Sequence, residues 1–187
     1  AGSGRYAAER NRLPDWDQLP VREARLGLEI DRVFAGAAAD RCSGLATVFE
    51  VEPHLRELVG QRVHFSLQLQ PGESAPVRTA RVAATGLLAV IPRAAVAGSF
   101  DQFLYDAGMN FRLNRGRILA EARPAYGYSR WCAAAADRCR AILSLGIDPA
   151  WPDLAALLRA MMLGETHELS EAQHEAFLRA GAMHLFA

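Results

Sequence analysis

The chain has 187 residues, about half of them hydrophobic, and its 21 basic and 21 acidic residues cancel to zero net charge. This length suits one ordinary domain or a small domain with a helical extension, and the apolar content is too high for a disordered chain. The zero net charge argues against a protein coated in positive charge for nucleic acid, although it leaves room for a local basic patch. Every basic residue is arginine, which a GC-rich genome explains and which also suits the forked binding of phosphate.

The sequence contains no membrane-spanning stretch, because its longest uncharged run, residues 82–92, is well short of the ~20 residues required. Its three cysteines are an odd number and do not indicate a disulfide framework. Cys132 and Cys139 would lie two helical turns apart, about 10 Å, which is too far for a bridge. Cys42 could pair with either one in an oxidising compartment, and three small buried thiols are the alternative that we favour.

Residues 1–24 are polar and interrupted by proline. We predict that they form an arm that lies on a surface, because no regular apolar period runs through them. The apolar residues Leu13, Trp16 and Leu19 are its candidate anchors.

From Leu26 onward apolar residues recur at every second position, which predicts half-buried strands. Gly86 and Gly116 interrupt two of these strands and are expected at bulges or bends, and residues 71–76 are predicted as a hairpin loop. About five strands with turn signals between them indicate a small closed or partly closed barrel. The predicted apolar faces are Leu26, Leu28 and Ile30; then Leu45, Thr47, Phe49 and Val51; then Val63, Phe65, Leu67 and Leu69.

A short helix is predicted before the last strand. Phe100, Phe103 and Leu104 recur at helical spacing, and Gly108 follows as a stop signal. The segment after it, residues 110–122, returns to the alternation of a strand.

After Pro124 the apolar period becomes helical and predicts three helices. We expect Ser129 to cap the first, Pro152 to occupy the first turn of the second, and a capping box of Ser170 and Gln173 to open the third. The predicted apolar face of the second helix consists of Leu154, Leu157, Leu158 and Met161.

No catalytic or metal-binding motif is visible. The histidines form neither an HExxH motif nor a cluster with cysteine, and the sequence lacks a Gly-x-Ser-x-Gly elbow. We therefore expect no metal, no cofactor and no enzyme activity, and interpret the histidines as surface or capping residues. These are His54, His64, His167, His174 and His184.

The arginine-rich segment 112–117 is the strongest candidate for a binding site. A barrel face that carries arginine beside aromatic residues is how many oligonucleotide-binding folds hold single strands, through phosphate contacts and base stacking. The alternative is a solvated strand face with no ligand. Arg78 and Arg81 on the preceding strand could extend this patch if they lie on the same face, which depends on the bulge at Gly86. The candidate DNA-binding residues are therefore Phe111, Arg112, Arg115, Arg117, Arg78 and Arg81.

The C-terminal sequence has a helix ending in Leu-Gly-Glu, then a polar turn, then a helix leading to Phe-x-x-x-Gly-x-x-His-Leu-x-Ala. This arrangement resembles the start of the competence domain of ComEC-type DNA uptake channels. The resemblance is specific over residues 154–187, extends more weakly to residues 99–122, and is only architectural over residues 26–92. The matching residues are Met162, Leu163, Gly164, Glu165, Leu169, Ser170, Phe177, Gly181, His184, Leu185 and Ala187.

The resemblance implies an α+β, mainly β chain in three parts. These are an N-terminal arm (1–24), a small OB-like antiparallel barrel (25–123) and a helical lead-in to a membrane competence domain (124–187). It implies a place on the extracytoplasmic, periplasmic side of the inner membrane. There the chain would receive or guide single-stranded DNA in natural transformation, while any nuclease activity belongs to a separate region of such proteins.

The resemblance also implies partners: single-stranded DNA, the transmembrane part of the same protein, and a second copy through exposed C-terminal helices. In the family, membrane helices follow directly where this chain ends. We therefore expect residues 165–187 to be mobile or to pack on another copy. The alternative function is a scaffold that packs on the channel without touching nucleic acid, which the zero net charge favours.

Overall fold

The chain divides into two compact units, one ending at Tyr126 and the other beginning at Gly127. Among the described residues no helix is both long enough and apolar enough to cross a bilayer. The structure is a computed structural model that describes residues 6, 12–34, 40–93, 96–147, 151–165 and 168–179.

The first unit is a closed five-stranded barrel with the strand order β1-β2-β3-β5-β4. This architecture confirms the predicted small OB-like barrel followed by helices. One detail differs, because β3 and β5 run parallel while the other four pairs are antiparallel. The strands are β1 (Arg22–Phe34), β2 (Arg41–Val51), β3 (Arg62–Gln68), β4 (Arg81–Val90) and β5 (Phe111–Arg123).

The connection between β3 and β4 is not the predicted hairpin loop. β3 pairs with β2 and β5, whereas β4 pairs with β1 and β5, so these two consecutive strands are not neighbours. Residues 69–80 therefore connect two strands that are separated by β5. Alternation along each strand could not reveal this, because it reports which face is apolar and not which strand lies alongside.

All five strands contribute side chains to the barrel core, and β1 and β3 do so most regularly. Their inward residues follow the predicted alternation, and Phe65 is the largest side chain among them. The bulge predicted at Gly86 is present as a register shift between Thr85 and Leu87, and β3 shifts register opposite Gly116. The fully buried residues of the two strands are Leu26, Leu28, Ile30, Val63, Phe65 and Leu67.

The predicted apolar face of β2 is wrong. Ala46 and Val48 point into the barrel core, whereas Thr47 bonds to Asp31 through its hydroxyl (2.8 Å). Leu45 is buried in a second cluster together with residues of the following helix. Because both faces of β2 are covered, the apolar pattern could not separate inside from outside.

Within the described part of the N-terminal arm, residues 12–24, the predicted anchor Trp16 is buried in the barrel core. A 3-10 turn, Pro14–Gln18, places the Trp16 ring edge-on against Phe111 with 4.7 Å between ring centroids. Trp16 Nε1 donates to Glu57 (3.4 Å). Of the other two predicted anchors, Leu19 is half-buried and Leu13 is exposed.

Helix α1 (Phe100–Asp106) lies between β4 and β5, as predicted. Ser99 caps it by accepting the Gln102 N–H (3.2 Å), and the Gln102 side chain accepts the Gly98 N–H (2.7 Å). The helix ends before Gly108, whose φ of 88° favours glycine. This double cap fixes where the helix begins and therefore which residues face outward.

The second unit contains three helices: α2 (Gly127–Ser144), α3 (Pro152–Leu163) and α4 (Glu171–Arg179). The predicted capping box is present, because Ser170 and Gln173 exchange two hydrogen bonds of 3.0 and 3.3 Å. Pro152 opens α3 as predicted. Ser129 is not a cap, since α2 begins two residues earlier at Gly127.

The predicted apolar face of α3 is also wrong. Its buried residues are Ala156 and Ala160, while Leu154 and Met161 are exposed. Helix α3 contacts α2, and two alanines four residues apart leave room for another helix to approach closely. Leu157 and Leu158 are half-buried.

Candidate nucleic-acid interface

Four side chains form a continuous series of ring contacts on the outer surface of the barrel. Phe34 and His64 are stacked with ring centroids 6.2 Å apart, and the His64 ring meets Phe100 edge-on at 5.1 Å. Phe100 and Phe103 are stacked at 6.0 Å with an angle of 19° between their planes. We call these four residues the aromatic ladder.

The four members of the ladder come from three elements of the fold. Phe34 is the last residue of β1, and His64 lies on the outer side of β3 between the inward residues Val63 and Phe65. Phe100 and Phe103 are one turn apart on α1.

Helix α1 is fixed to the barrel by its opposite side. Leu104 and Tyr105 are buried with Leu45 of β2 in a second core cluster, against which Phe34 also packs. The anchoring residues turn Phe100 and Phe103 toward solvent, so that 54% of each remains exposed. Two nearly parallel, half-exposed rings on a fixed helix offer flat apolar surfaces on which bases can stack.

Arginines lie at both sides of the ladder. The exposed Arg32 guanidinium lies 5.7 Å from the centroid of the Phe34 ring. Arg112 is the neighbour of His64 in the parallel β3–β5 pair, and its Nη1 donates to Asp101 Oδ1 of α1 (2.8 Å). The ladder therefore combines apolar rings with guanidinium groups, of which Arg112 is held by a carboxylate.

His64 is buried within the ladder, which corrects its interpretation as a surface or capping residue, and this burial lowers its pKa. The positive charge of Arg112 lowers the pKa further, while the Asp101 carboxylate acts in the opposite direction. The Nδ1 atom of His64 has no hydrogen-bond partner among the described residues. Such an environment favours the neutral imidazole, which stacks as an aromatic ring.

This burial predicts a loss of stability in acid. The folded-state pKa of His64 lies below its ordinary value of 6.5, so the unfolded chain takes up the proton first. The contribution of His64 is complete above pH 6.5 and is lost as the pH falls below it. Urea unfolding between pH 5 and 8 should show a shallower pH dependence for His64→Gln than for the wild type. The exposed His54→Gln variant serves as the control, and identical profiles for His64→Gln and wild type would contradict the prediction.

Phe111 does not belong to the interface. It is fully buried against Trp16, so its ring is not available to a base, and its prediction as a DNA-binding residue is corrected. The first position of β5 points inward, and the alternation then turns its neighbour Arg112 outward.

Arg115 and Arg117 are exposed on β5. Arg117 lies opposite Gln68 and Arg112 opposite His64, four positions apart along β3, or about 13 Å by strand rise. Arg115 has a φ of 50° within the local irregularity of the strand. The predicted arginine segment therefore extends along the outer surface of β5 away from the ladder.

The two arginines of the preceding strand differ from each other. Arg81 donates to Glu29 (2.6 Å) and its guanidinium stacks on Phe49 at 4.8 Å, so its charge is already compensated. Arg78 is exposed in the connection before β4.

The residues of the C-terminal family motif lie in the second unit. Leu163 ends α3, and Gly164 follows in a left-handed conformation with φ of 71°. Glu165 accepts from the Arg140 guanidinium at 2.6 and 2.8 Å, and Phe177 lies in α4. Gly181, His184, Leu185 and Ala187 lie outside the described residues, as does the whole segment after residue 179.

The thiols do not support a reactive centre. Burial and the nearby Glu73 raise the pKa of Cys42 to about 11, which keeps it protonated. All three cysteines are free, and Cys139 is exposed, contrary to the prediction of three buried thiols. Within the part of the chain that the structure describes, no group of His, Cys, Asp and Glu side chains could hold a metal ion.

One signal in the sequence, besides the motifs described above, indicates which residues of α1 face outward. The pattern Ser99-x-x-Gln102 is a capping box, and it sets Phe100 and Phe103 on one side of α1 and Leu104 and Tyr105 on the other. A helix of seven residues cannot bury both sides against the same barrel.

No family model, no curated protein and no solved structure matches this chain.

Proposed function

We propose that the outer surface of the barrel binds single-stranded DNA through the aromatic ladder. The observation that carries this proposal is the stacked, half-exposed pair Phe100 and Phe103, continued by His64 and Phe34. Base stacking on aromatic rings tolerates every sequence, since every base has a π-face. Duplex DNA keeps its bases stacked inside and gains nothing from such a surface.

The arginines near the ladder supply the phosphate contacts. Arg32 lies over Phe34, and Arg115 and Arg117 continue along β5 in exposed positions. This distribution agrees with a chain of zero net charge, because a few local guanidinium groups provide the attraction. Affinity then depends on stacking more than on total charge.

The resemblance to ComEC-type channels gives this binding a biological setting. In that setting the barrel lies on the extracytoplasmic side of the inner membrane and receives incoming single strands for translocation in natural transformation. The remaining transmembrane part of the same protein would be its partner. The left-handed Gly164 after α3 and the capping box at Ser170 are compatible with the motif on which the resemblance depends.

A scaffold function is the second candidate, and a specific feature favours it. Helix α2 has no buried side chain, and it presents Tyr128, Trp131 and Ile142 to solvent. In addition, Arg81 and Arg112 of the barrel are already paired with carboxylates. A chain with these features suits packing against other parts of a channel or against a second copy.

A salt titration separates the two functions. Fluorescence anisotropy with labelled single-stranded and duplex oligonucleotides should show binding that prefers the single strand. Each phosphate contact contributes about −0.7 to the slope of log affinity against log salt, so three contacts give about −2. If neither oligonucleotide binds at low salt, the scaffold function is the better account. Equal affinity for both forms would argue against the aromatic ladder as the site.

A further inference from the structure

A groove with a volume of about 410 Å³ lies next to the ladder on the barrel. It is formed where the N-terminal segment passes over the end of β4. Its lining includes Arg12 and Asp17 from that segment, Arg93 after β4, and Arg112 from β5. Arg112 lies opposite Ala89 of β4 on one side and opposite the ladder residue His64 of β3 on the other, so this lining residue of the groove neighbours the ladder.

The lining of the groove has an excess of positive charge. Among the described residues, three guanidinium groups and one carboxylate, that of Asp17, line it, and Arg112 is also paired with Asp101. Asp17 accepts from both Arg12 (2.5 Å) and Arg93 (2.8 Å), one at each carboxylate oxygen. An oxyanion already bridges two of the arginines, which shows that their spacing suits an anion with several oxygens.

Arg12 is unusual because its side chain is only 1% exposed. Its Nη1 donates to Asn110 Oδ1 (3.4 Å), but its Nε has no hydrogen-bond partner among the described residues. The Nε of Arg112 is likewise buried without a partner there. Buried N–H groups without acceptors are unfavourable, and an anion in the groove would offer acceptors to such donors.

We propose that this groove binds a phosphate group, with Arg12, Arg93 and Arg112 as its ligands. A phosphate has three or four oxygens for the forked donors of arginine, whereas Asp17 offers two. Since Arg112 connects the groove to the ladder, the phosphate would be that of a nucleotide whose base stacks on the neighbouring rings. This assignment of the source rests on the proposed DNA binding, while the anion site itself does not.

The test uses inorganic phosphate and two oligonucleotides, one with a 5′-terminal phosphate and one without. The Arg93→Gln variant removes the most accessible of the three guanidinium groups, and Arg56→Gln on an exposed turn is the matched control. We expect phosphate to raise the Tm of the wild type and of the control, and this shift to be largely absent from Arg93→Gln. We also expect Arg93→Gln to weaken oligonucleotide binding about tenfold.

The outcomes distinguish the possible sources of the phosphate. Weaker binding of both oligonucleotides assigns the groove to an internucleotide phosphate, and an effect confined to the phosphorylated one assigns it to a strand end. A phosphate-dependent Tm shift that needs Arg93, without any effect on oligonucleotides, supports an anion site for free phosphate. If Arg93→Gln alters neither the phosphate response nor oligonucleotide binding, the proposal is overturned.

Discussion

Replacing both Phe100 and Phe103 with alanine is expected to weaken the binding of a single-stranded oligonucleotide by about 100-fold. Stacking of a base on an aromatic side chain contributes about 1–3 kcal/mol, and the double substitution removes two stacked surfaces. Each ring is half-exposed, while the anchoring residues Leu104 and Tyr105 remain in place. The fold should therefore survive, which circular dichroism and thermal unfolding would verify beside anisotropy titrations.

A matched control for this pair exists in the second unit. Tyr128 and Trp131 are also stacked, with centroids 6.3 Å apart, and both are strongly exposed on α2. Their replacement with alanine likewise removes two stacked, exposed rings, but from the second unit, and should leave oligonucleotide affinity unchanged. A large loss from Tyr128→Ala/Trp131→Ala, with no loss from the barrel pair, would transfer the binding site from the ladder to α2.

A conservative variant separates stacking from simple hydrophobic contact. Leucine in place of Phe100 and Phe103 keeps apolar area on the same side of α1 but has no flat π-surface. We expect this double variant to bind nearly as weakly as the alanine variant, because leucine does not stack on a base. Full affinity in the leucine variant would indicate that the ladder acts through apolar area alone.

Gly44→Ala is expected to lower the free energy of unfolding by about 3 kcal/mol, or the Tm by roughly 6–12 °C. A Cβ at this position would lie 2.1 Å from the backbone oxygen of Arg32 and 2.8 Å from Cζ of Phe65. The backbone contact cannot be relieved by a rotamer change, since Arg32 O belongs to the strand paired with β2. The cost therefore appears as displacement of β1 or of the Phe65 ring in the core.

Gly127→Ala is the matched control for this substitution. Gly127 is the first residue of α2, and a Cβ there meets no atom within 4 Å. Alanine also loses less conformational entropy than glycine in a helix, so the Tm should stay equal or rise slightly. Urea and thermal unfolding measure the stability of both variants relative to the wild type. If Gly44→Ala were as stable as the wild type, the paired strands would accommodate the added Cβ without loss of stability, contrary to the prediction.

Much of the barrel could be predicted from the sequence because its strands keep strict alternation. Phe65 and its neighbours in β3 follow the pattern, and Gly86 marks the bulge in β4 as predicted. The alternation fails in β2, where α1 covers the outer side and Leu45 is buried there. A helix that returns to cover a strand is tertiary information that a period of two does not contain.

The candidate site was predictable only in part. The sequence indicated that arginine beside an aromatic residue should occur on the barrel, but it selected Phe111, which packs inward against Trp16. The rings that do face outward come from α1 and from His64, and they meet only after β1, β3 and α1 have assembled. The phosphate groove likewise joins Arg12 and Arg112, which are far apart in the chain.

The position of β5 has a consequence for the biosynthesis of this protein. Among the described residues it is the last strand in sequence order, yet it lies between β3 and β4 and closes the barrel by pairing with both. Until residues 111–123 have left the ribosome, β3 and β4 each keep an unpaired edge, and such edges readily pair with other nascent chains. A polypeptide that stalls after β4 is therefore expected to aggregate more readily than one in which β5 has been inserted.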